Sequence, residues 1–196
     1  NVVDSRELAH QGELAFGTID SWLIWNLTKG ASHITDYTNA SRTLIFNIDS
    51  QEWDNELLEI LDIPSEILPS VQNSASDFGK IEASILGTEI PISGVAGDQQ
   101  AALYGQLAFE SGMSKCTYGT GCFMLTNTGG NRINSSNGLL TTLACDAWGK
   151  PAYSLEGSVF MGGAVIQGLR DELHLIDDAS ETNKIANSID CNNGVY

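Results

Sequence analysis

An apolar run that ends on glycine and passes straight into a helical pattern is what most restricts the fold of this chain. Ile90-Pro91-Ile92-Ser93-Gly94-Val95-Ala96 reads as a buried strand, Gly97-Asp98-Gln99-Gln100 follows, and residues 101–107 have helical spacing. A strand handing over to a helix belongs to α/β architecture, whose ligands bind beyond the C-terminal ends of strands. Asp98 stands at that junction. A carboxylate there can take the proton of an attacking hydroxyl, or cap the helix by accepting its free N–H groups. Gln99 and Gln100 can each donate to and accept from a hydroxyl, which suits a polyol; they also suit an ordinary helix surface.

Two further glycine clusters carry candidate chemistry. Residues 115–127 read as a hairpin turning at Gly119-Thr120-Gly121. Glycines on both sides of Thr120 let backbone approach a ligand, and successive N–H groups with the Thr hydroxyl can form an anion nest. A plain hairpin turn explains the same residues, and no Lys follows in Walker spacing, so this is not a P-loop. Gly162-Gly163-Ala164 and Gln167 fall inside or at the start of the last helix, expected over residues 157–173, with Ala164, Leu169 and Leu173 facing inward. Mid-helix glycine costs about 1 kcal/mol against Ala, so either a ligand or tight packing is expected there.

Elsewhere, Thr18 is an expected N-cap to a helix whose Ile19, Trp22, Leu23 and Leu27 share a face, with Gly30 as its stop. Trp22 and Trp25 read as core or interface packing. Residues 33–35 suggest a strand, and Asp36-Tyr37-Thr38-Asn39-Ala40-Ser41-Arg42-Thr43 a turn organised by short polar side chains. Leu57, Leu58 and Leu61 suggest a helix from about Glu52, and residues 139–144 and 152–155 further strands. A boundary is expected near Glu110-Ser111-Gly112.

Lys and Arg number 9 against 25 Asp and Glu, a formal net charge of -16 over 196 residues. That disfavours nucleic acid and anionic membranes as partners, which need a basic face. It also means that a phosphate ligand must be met by local donors or a metal ion. The sequence has no basic leader before an apolar stretch and no apolar run long enough to span a bilayer, so a cytoplasmic protein without a membrane anchor is expected. Cys116, Cys122, Cys145 and Cys191 form no CxxC motif, and reduced, packed thiols are expected, although Cys116 and Cys122 flank one turn.

Phe16-Gly17-Thr18-Ile19-Asp20-Ser21-Trp22-Leu23-Ile24-Trp25, the run from Asp36 to Thr43, Gly94-Val95-Ala96-Gly97-Asp98-Gln99-Gln100-Ala101-Ala102-Leu103 and Thr117-Tyr118-Gly119-Thr120-Gly121-Cys122-Phe123 together resemble the glycerol-phosphorylating branch of the FGGY carbohydrate kinases. Asn137-Gly138-Leu139-Leu140-Thr141-Thr142 and the stretch from Leu155-Glu156-Gly157 to Leu169-Arg170-Asp171-Glu172 extend the likeness over nearly the whole chain. The resemblance implies the actin/hexokinase-like, ribonuclease-H-like ATPase fold. Family members are much longer, so a central segment is expected. Residues 1–108 would form the C-terminal part of the first FGGY domain and 109–196 the N-terminal part of the second.

The implied activity is ATP-dependent phosphorylation of glycerol with Mg2+. Asp98 would be the base, Gln99 a hydroxyl ligand, and Phe123 a platform for the carbon chain. Thr120, Gly119 and Gly121 would hold ATP phosphates, and Gly163 and Gln167 the nucleotide; no metal ligand is assigned. The full-length protein is expected to be a homo-oligomer, and the 196 residues alone inactive. Alternatives are a sister kinase for another polyol or a pentulose, and a non-catalytic ATP-binding regulator of the same fold. Gly168 stands where the family often has Trp. Leu86-Gly87-Thr88-Glu89 replaces a Gly-Gly-x-Arg loop for an anionic allosteric sugar, which Glu89 would repel.

Overall fold

In a computed structural model, which describes residues 4–192 and 194, helices and short strands alternate as an α/β chain should. The first half runs α1 (Ser5–His10), α2 (Ile19–Leu27), β1 (Ile34–Asp36), α3 (Tyr37–Ala40), β2 (Phe46–Asn47), β3 (Glu52–Trp53), α4 (Asn55–Leu61), β4 (Ser70–Gln72), β5 (Lys80–Ile81), α5 (Ala83–Leu86) and β6 (Ile90–Pro91). It continues with α6 (Asp98–Gly105), β7 (Ser114–Tyr118), β8 (Cys122–Gly129), β9 (Leu140–Cys145), β10 (Pro151–Val159), α7 (Gly163–Asp171) and α8 (Glu181–Asn187). Among the described residues no helix is long and apolar enough to cross a membrane.

Two compact units result. The first holds the described residues up to Lys115 together with Leu125–Glu156; the second holds Cys116–Met124 and the described residues from Gly157 onward.

In the first unit β1 and β4 pair in parallel from Ile34 opposite Ser70 to Asp36 opposite Gln72. β9 pairs antiparallel with β10 from Leu140 opposite Glu156 to Cys145 opposite Pro151. Alternate β10 residues Ala152, Ser154 and Glu156 are buried, as a period of two requires. The buried Glu156 carboxylate accepts from both terminal nitrogens of Arg42, at 2.7 and 3.2 Å. One core cluster joins Leu103, Ala108, Leu125 and Ala144. Another joins Ala40, Phe46 and Leu143, with Trp53 edge-on to Phe46 at 5.4 Å between ring centres.

Several expectations change. Residues 90–96 are not a buried strand: only Ile90–Pro91 pairs, with β5, and Gly94 makes a single bridge to Ala75. Pro91 lacks the N–H that a central strand must donate, which confines such a run to an edge. The helix expected from Glu52 starts at Asn55, because Asp54 caps it by accepting from the Leu57 N–H at 3.1 Å. On α2 the Thr18 hydroxyl donates to Asp20 and makes no cap bond. Asp20 also accepts from Thr35 at 2.7 Å, which turns the Ser21 and Ile24 side inward and leaves Ile19, Trp22 and Leu23 exposed. The stop at Gly30 is as expected: φ is +83° and its N–H reaches the Trp25 carbonyl at 2.7 Å.

In the second unit the helix begins at Gly163 rather than Gly157, since residues 157–159 continue β10. Ala164 and Leu169 are half-buried, whereas Leu173 lies beyond the helix and is exposed. No disulfide joins Cys116 and Cys122; of the four thiols only Cys145 is buried.

Candidate functional site

The first part of the site starts from a buried acid. Asp36 ends β1 and is fully buried. Its Oδ1 accepts from the Asn39 backbone N–H at 3.0 Å and side-chain amide at 2.8 Å. Its Oδ2 accepts from the Thr38 N–H at 3.1 Å, the Thr38 hydroxyl at 2.7 Å and the Ser74 hydroxyl at 2.6 Å. The carboxylate thereby caps α3 and ties it to the loop after β4, meeting the rule that a buried charge needs a full set of partners. Burial pushes the nearby Cys145 thiol above its ordinary pKa, opposed by its hydrogen bond with Ser74.

Thr38 extends this network to the start of α6. Its hydroxyl accepts from the Gly97 N–H at 2.8 Å. Gly97 is the N-cap residue, and a Cβ there would stand 2.7 Å from Gln100 Oε1. Gln100 is itself buried and donates to the Leu143 carbonyl at 3.2 Å, so the first turn of α6 is anchored on two sides.

Asp98, the first residue of α6, is therefore held in place by its neighbours and leaves its carboxylate exposed. It is not the capping side chain: Oδ1 accepts from the adjacent Gln99 N–H at 2.8 Å, and Oδ2 lies 3.4 Å from Gln99 Nε2. Gln99 Oε1 accepts from the ammonium of Lys115, a residue of β7 that is only 6% exposed. An exposed carboxylate beside an oriented amide is a group able to take a proton from one hydroxyl and hydrogen-bond a second. Clefts of about 430 Å³ beside Ser74, Ala101, Tyr104 and Cys145, and of about 390 Å³ beside Ser21, Trp22, Trp25 and His33, include neither Asp98 nor Gln99.

The other candidates belong to the second unit. Gly119, Thr120 and Gly121 form the tight turn between β7 and β8, where the Gly119 N–H donates to the Gly121 carbonyl at 2.8 Å. The start of α7 packs directly on this turn. The N–H groups of Gly162 and Ala164 donate to the Thr120 carbonyl at 2.8 and 3.1 Å, and that of Gly163 to the Gly119 carbonyl at 2.7 Å. A Cβ on Gly121 would meet the Val159 carbonyl at 2.8 Å, and one on Gly163 the Gly119 carbonyl at 2.8 Å. Tight packing thus accounts for these glycines. Thr120 is exposed, and no hydrogen bond engages its hydroxyl among the described residues. Phe123 is half-buried on β8, and Gln167 is exposed on α7.

The chain thus brings Asp98 and Gln99 together in one unit, and Gly119, Thr120, Gly121 and Gly163 together in the other. Sequence reading passed over Asp36, Thr38 and Lys115. The first two stood in a recognised polar turn, where an acid two residues before Thr at a strand end is a capping signal. Lys115 carried no local pattern at all.

Residues 1–105 match the N-terminal domain of the FGGY family of carbohydrate kinases. Glycerol kinase of Clostridium botulinum (strain Langeland) is 60% identical over 196 residues, which is 100% of this chain and 39% of that protein. Glycerol kinase of Shewanella oneidensis is 59% identical over 100% of this chain and 40% of its own length. The chain therefore spans about two fifths of the length of these curated relatives. The crystal structure of Plasmodium falciparum glycerol kinase with ADP superposes with a TM-score of 0.84 at 40% identity, covering 96% of this chain and 38% of that one. A ligand-bound xylulose kinase from Lactobacillus acidophilus gives 0.72 at 28% identity, covering 87% and 34%.

Proposed function

The chain belongs to the FGGY family of carbohydrate kinases, and on that premise we propose that the whole protein transfers the γ-phosphoryl group of ATP to glycerol, forming sn-glycerol 3-phosphate. The observation that carries this reading is the exposed Asp98 carboxylate beside the Gln99 amide, at a helix start anchored by Asp36, Thr38 and Gln100. High identity to glycerol kinases along the entire chain supports it. Residues 1–108 are assigned to the first FGGY domain and 109–196 to the second.

In the proposed reaction Asp98 accepts the proton of a terminal glycerol hydroxyl as its oxygen attacks the γ-phosphorus. The bond to the bridging oxygen breaks, and ADP leaves. Transfer of this kind depends mainly on alignment and charge neutralisation. Gln99 holds a second hydroxyl, and Phe123 packs on the carbon chain. Thr120, in the turn with Gly119 and Gly121, supplies a hydroxyl to the phosphates, and Gly163 and Gln167 face the nucleotide.

Mg2+ accompanies the nucleotide in this reading. Among the described residues no group of three or more His, Cys, Asp or Glu is placed to hold a metal, so no step is assigned to a metal ligand of this chain. We place the protein in the cytoplasm as a homo-oligomer.

A second reading, a sister kinase for a pentulose, is favoured by the superposition on xylulose kinase, though at much lower identity. An ADP-release assay on the whole protein with glycerol, xylulose and ribulose separates the two, and also separates both from a non-catalytic nucleotide-binding regulator. Glycerol should be preferred. Asp98→Asn should lower kcat by about 100-fold or more with folding preserved, the usual scale of a general base. Near-normal turnover by that variant overturns the assignment.

A further inference from the structure

We infer that Lys115 is a positioning residue for polyol binding, whose buried ammonium locks the Gln99 amide with its NH2 end toward Asp98. The inference deepens the polyol-kinase reading and rests on it. A glutamine amide has an accepting end and a donating end of nearly equal shape, and by itself it can turn over. An ammonium group only donates, and a carboxylate only accepts. Gln99 lies between one of each: Oε1 accepts from Lys115 Nζ, and Nε2 is 3.4 Å from Asp98 Oδ2. The flipped amide would set NH2 against ammonium and carbonyl oxygen against carboxylate, two repulsive pairings. One orientation therefore survives.

The position of Lys115 strengthens the argument. A lysine that is only 6% exposed carries a desolvation cost, which an apolar side chain of similar length would avoid. Few cations exist to place: Lys and Arg total 9 in this chain, against 25 acids. The lock has a consequence for recognition. A substrate hydroxyl at Gln99 must present its oxygen as an acceptor, while the hydroxyl at Asp98 gives up its proton. The pair thus distinguishes two neighbouring hydroxyls by role, and Lys115 fixes which is which.

The test uses the whole protein as wild type, Lys115→Met, Lys115→Arg, Gln99→Ala and the Lys115→Met/Gln99→Ala double variant. Loss of one oriented hydrogen bond should raise the KM for glycerol about 5- to 10-fold in Lys115→Met, with kcat and the KM for ATP within about 2-fold of wild type. Lys115→Arg should recover part of the loss. In the Gln99→Ala background Lys115→Met should add less than about 2-fold, because the two act as one unit. Effects that multiply, or an equal rise in the KM for ATP, overturn the inference.

A second readout does not need turnover. The side-chain amide NMR signals of Gln99, identified by their loss in Gln99→Ala, should shift and exchange with water faster in Lys115→Met. Unchanged signals overturn the role of Lys115. A wild-type protein that turned over no glycerol would defeat the functional reading, while the amide signals would still decide whether Lys115 orients Gln99.

Discussion

Thr38→Val is the sharpest probe of how this fold holds its candidate base. Valine keeps the shape of threonine and removes only the hydroxyl. That hydroxyl donates to Asp36 Oδ2 at 2.7 Å and accepts from the Gly97 N–H at 2.8 Å. Losing a hydrogen bond to a charged group costs about 1.5–3 kcal/mol, and an N–H left without an acceptor about 1–3 kcal/mol. Asp36 keeps its other four donors, and Gly97 is only half-buried, so both terms belong near their low ends, for a total of about 2–4 kcal/mol. Hydrogen exchange measured on the whole protein reads this locally. The Gly97 amide should lose about 10- to 100-fold of its protection, while the α4 amides stay unchanged. Turnover should fall along with it, since Asp98 follows Gly97 directly. Unaltered protection at Gly97, with stability within about 0.5 kcal/mol of wild type, would refute the claim that Thr38 anchors α6.

Three further outcomes are expected. Gly121→Ala should cost about 1–3 kcal/mol in unfolding measurements, because its Cβ would meet backbone carbonyls of Val159 and Phe160 at 2.8 and 3.2 Å. Gly105→Ala, with open space around it at the end of α6, should instead be neutral or stabilise by up to about 1 kcal/mol. Arg42→Met removes a bidentate partner from the buried Glu156 and should cost about 1–3 kcal/mol in urea unfolding, the half-exposed arginine placing it below a fully buried pair; Glu156→Gln in that background should recover part. The raised pKa of Cys145 means that its contribution to stability is full below the ordinary thiol range and is lost as pH rises from that range through the raised value. Cys145→Ser should flatten that alkaline loss in a pH series of unfolding midpoints, and Cys145 should label with maleimide far more slowly than the exposed Cys116.

Elements set by local residue type are legible in the sequence. Gly30 stops α2 because a left-handed residue there costs glycine nothing, and that is visible from residue type alone. The hairpin about Gly119-Thr120-Gly121 and the helix opening at Asp98 are likewise local patterns. Elements whose state depends on what lies beside them are not. Residues 90–96 are apolar enough for a buried strand, yet only Ile90 and Pro91 form a ladder with β5, Ile92 exchanges backbone hydrogen bonds with Phe78 and Gly79, and most of the run lies exposed because among the described residues no second strand or helix covers it. The glycines at 162 and 163 read as a place for either a ligand or tight packing, and only their neighbours show the packing: the Gly119 carbonyl and, for Gly162, Cys122 Sγ leave no room for a Cβ.

The sequence alone carried the α/β class and the resemblance to carbohydrate kinases, and that resemblance singled out Asp98 as the candidate base, because motifs made of residue types can be matched without knowing their neighbours in space. Only the tertiary structure decided how that base is held. Asp36, Thr38 and Gly97 are linked across 61 positions, from 36 to 97, and Lys115 reaches Gln99 from another strand. Hydrogen bonds between residues so distant along the chain leave no periodicity or spacing to read, because the fold itself brings their partners together.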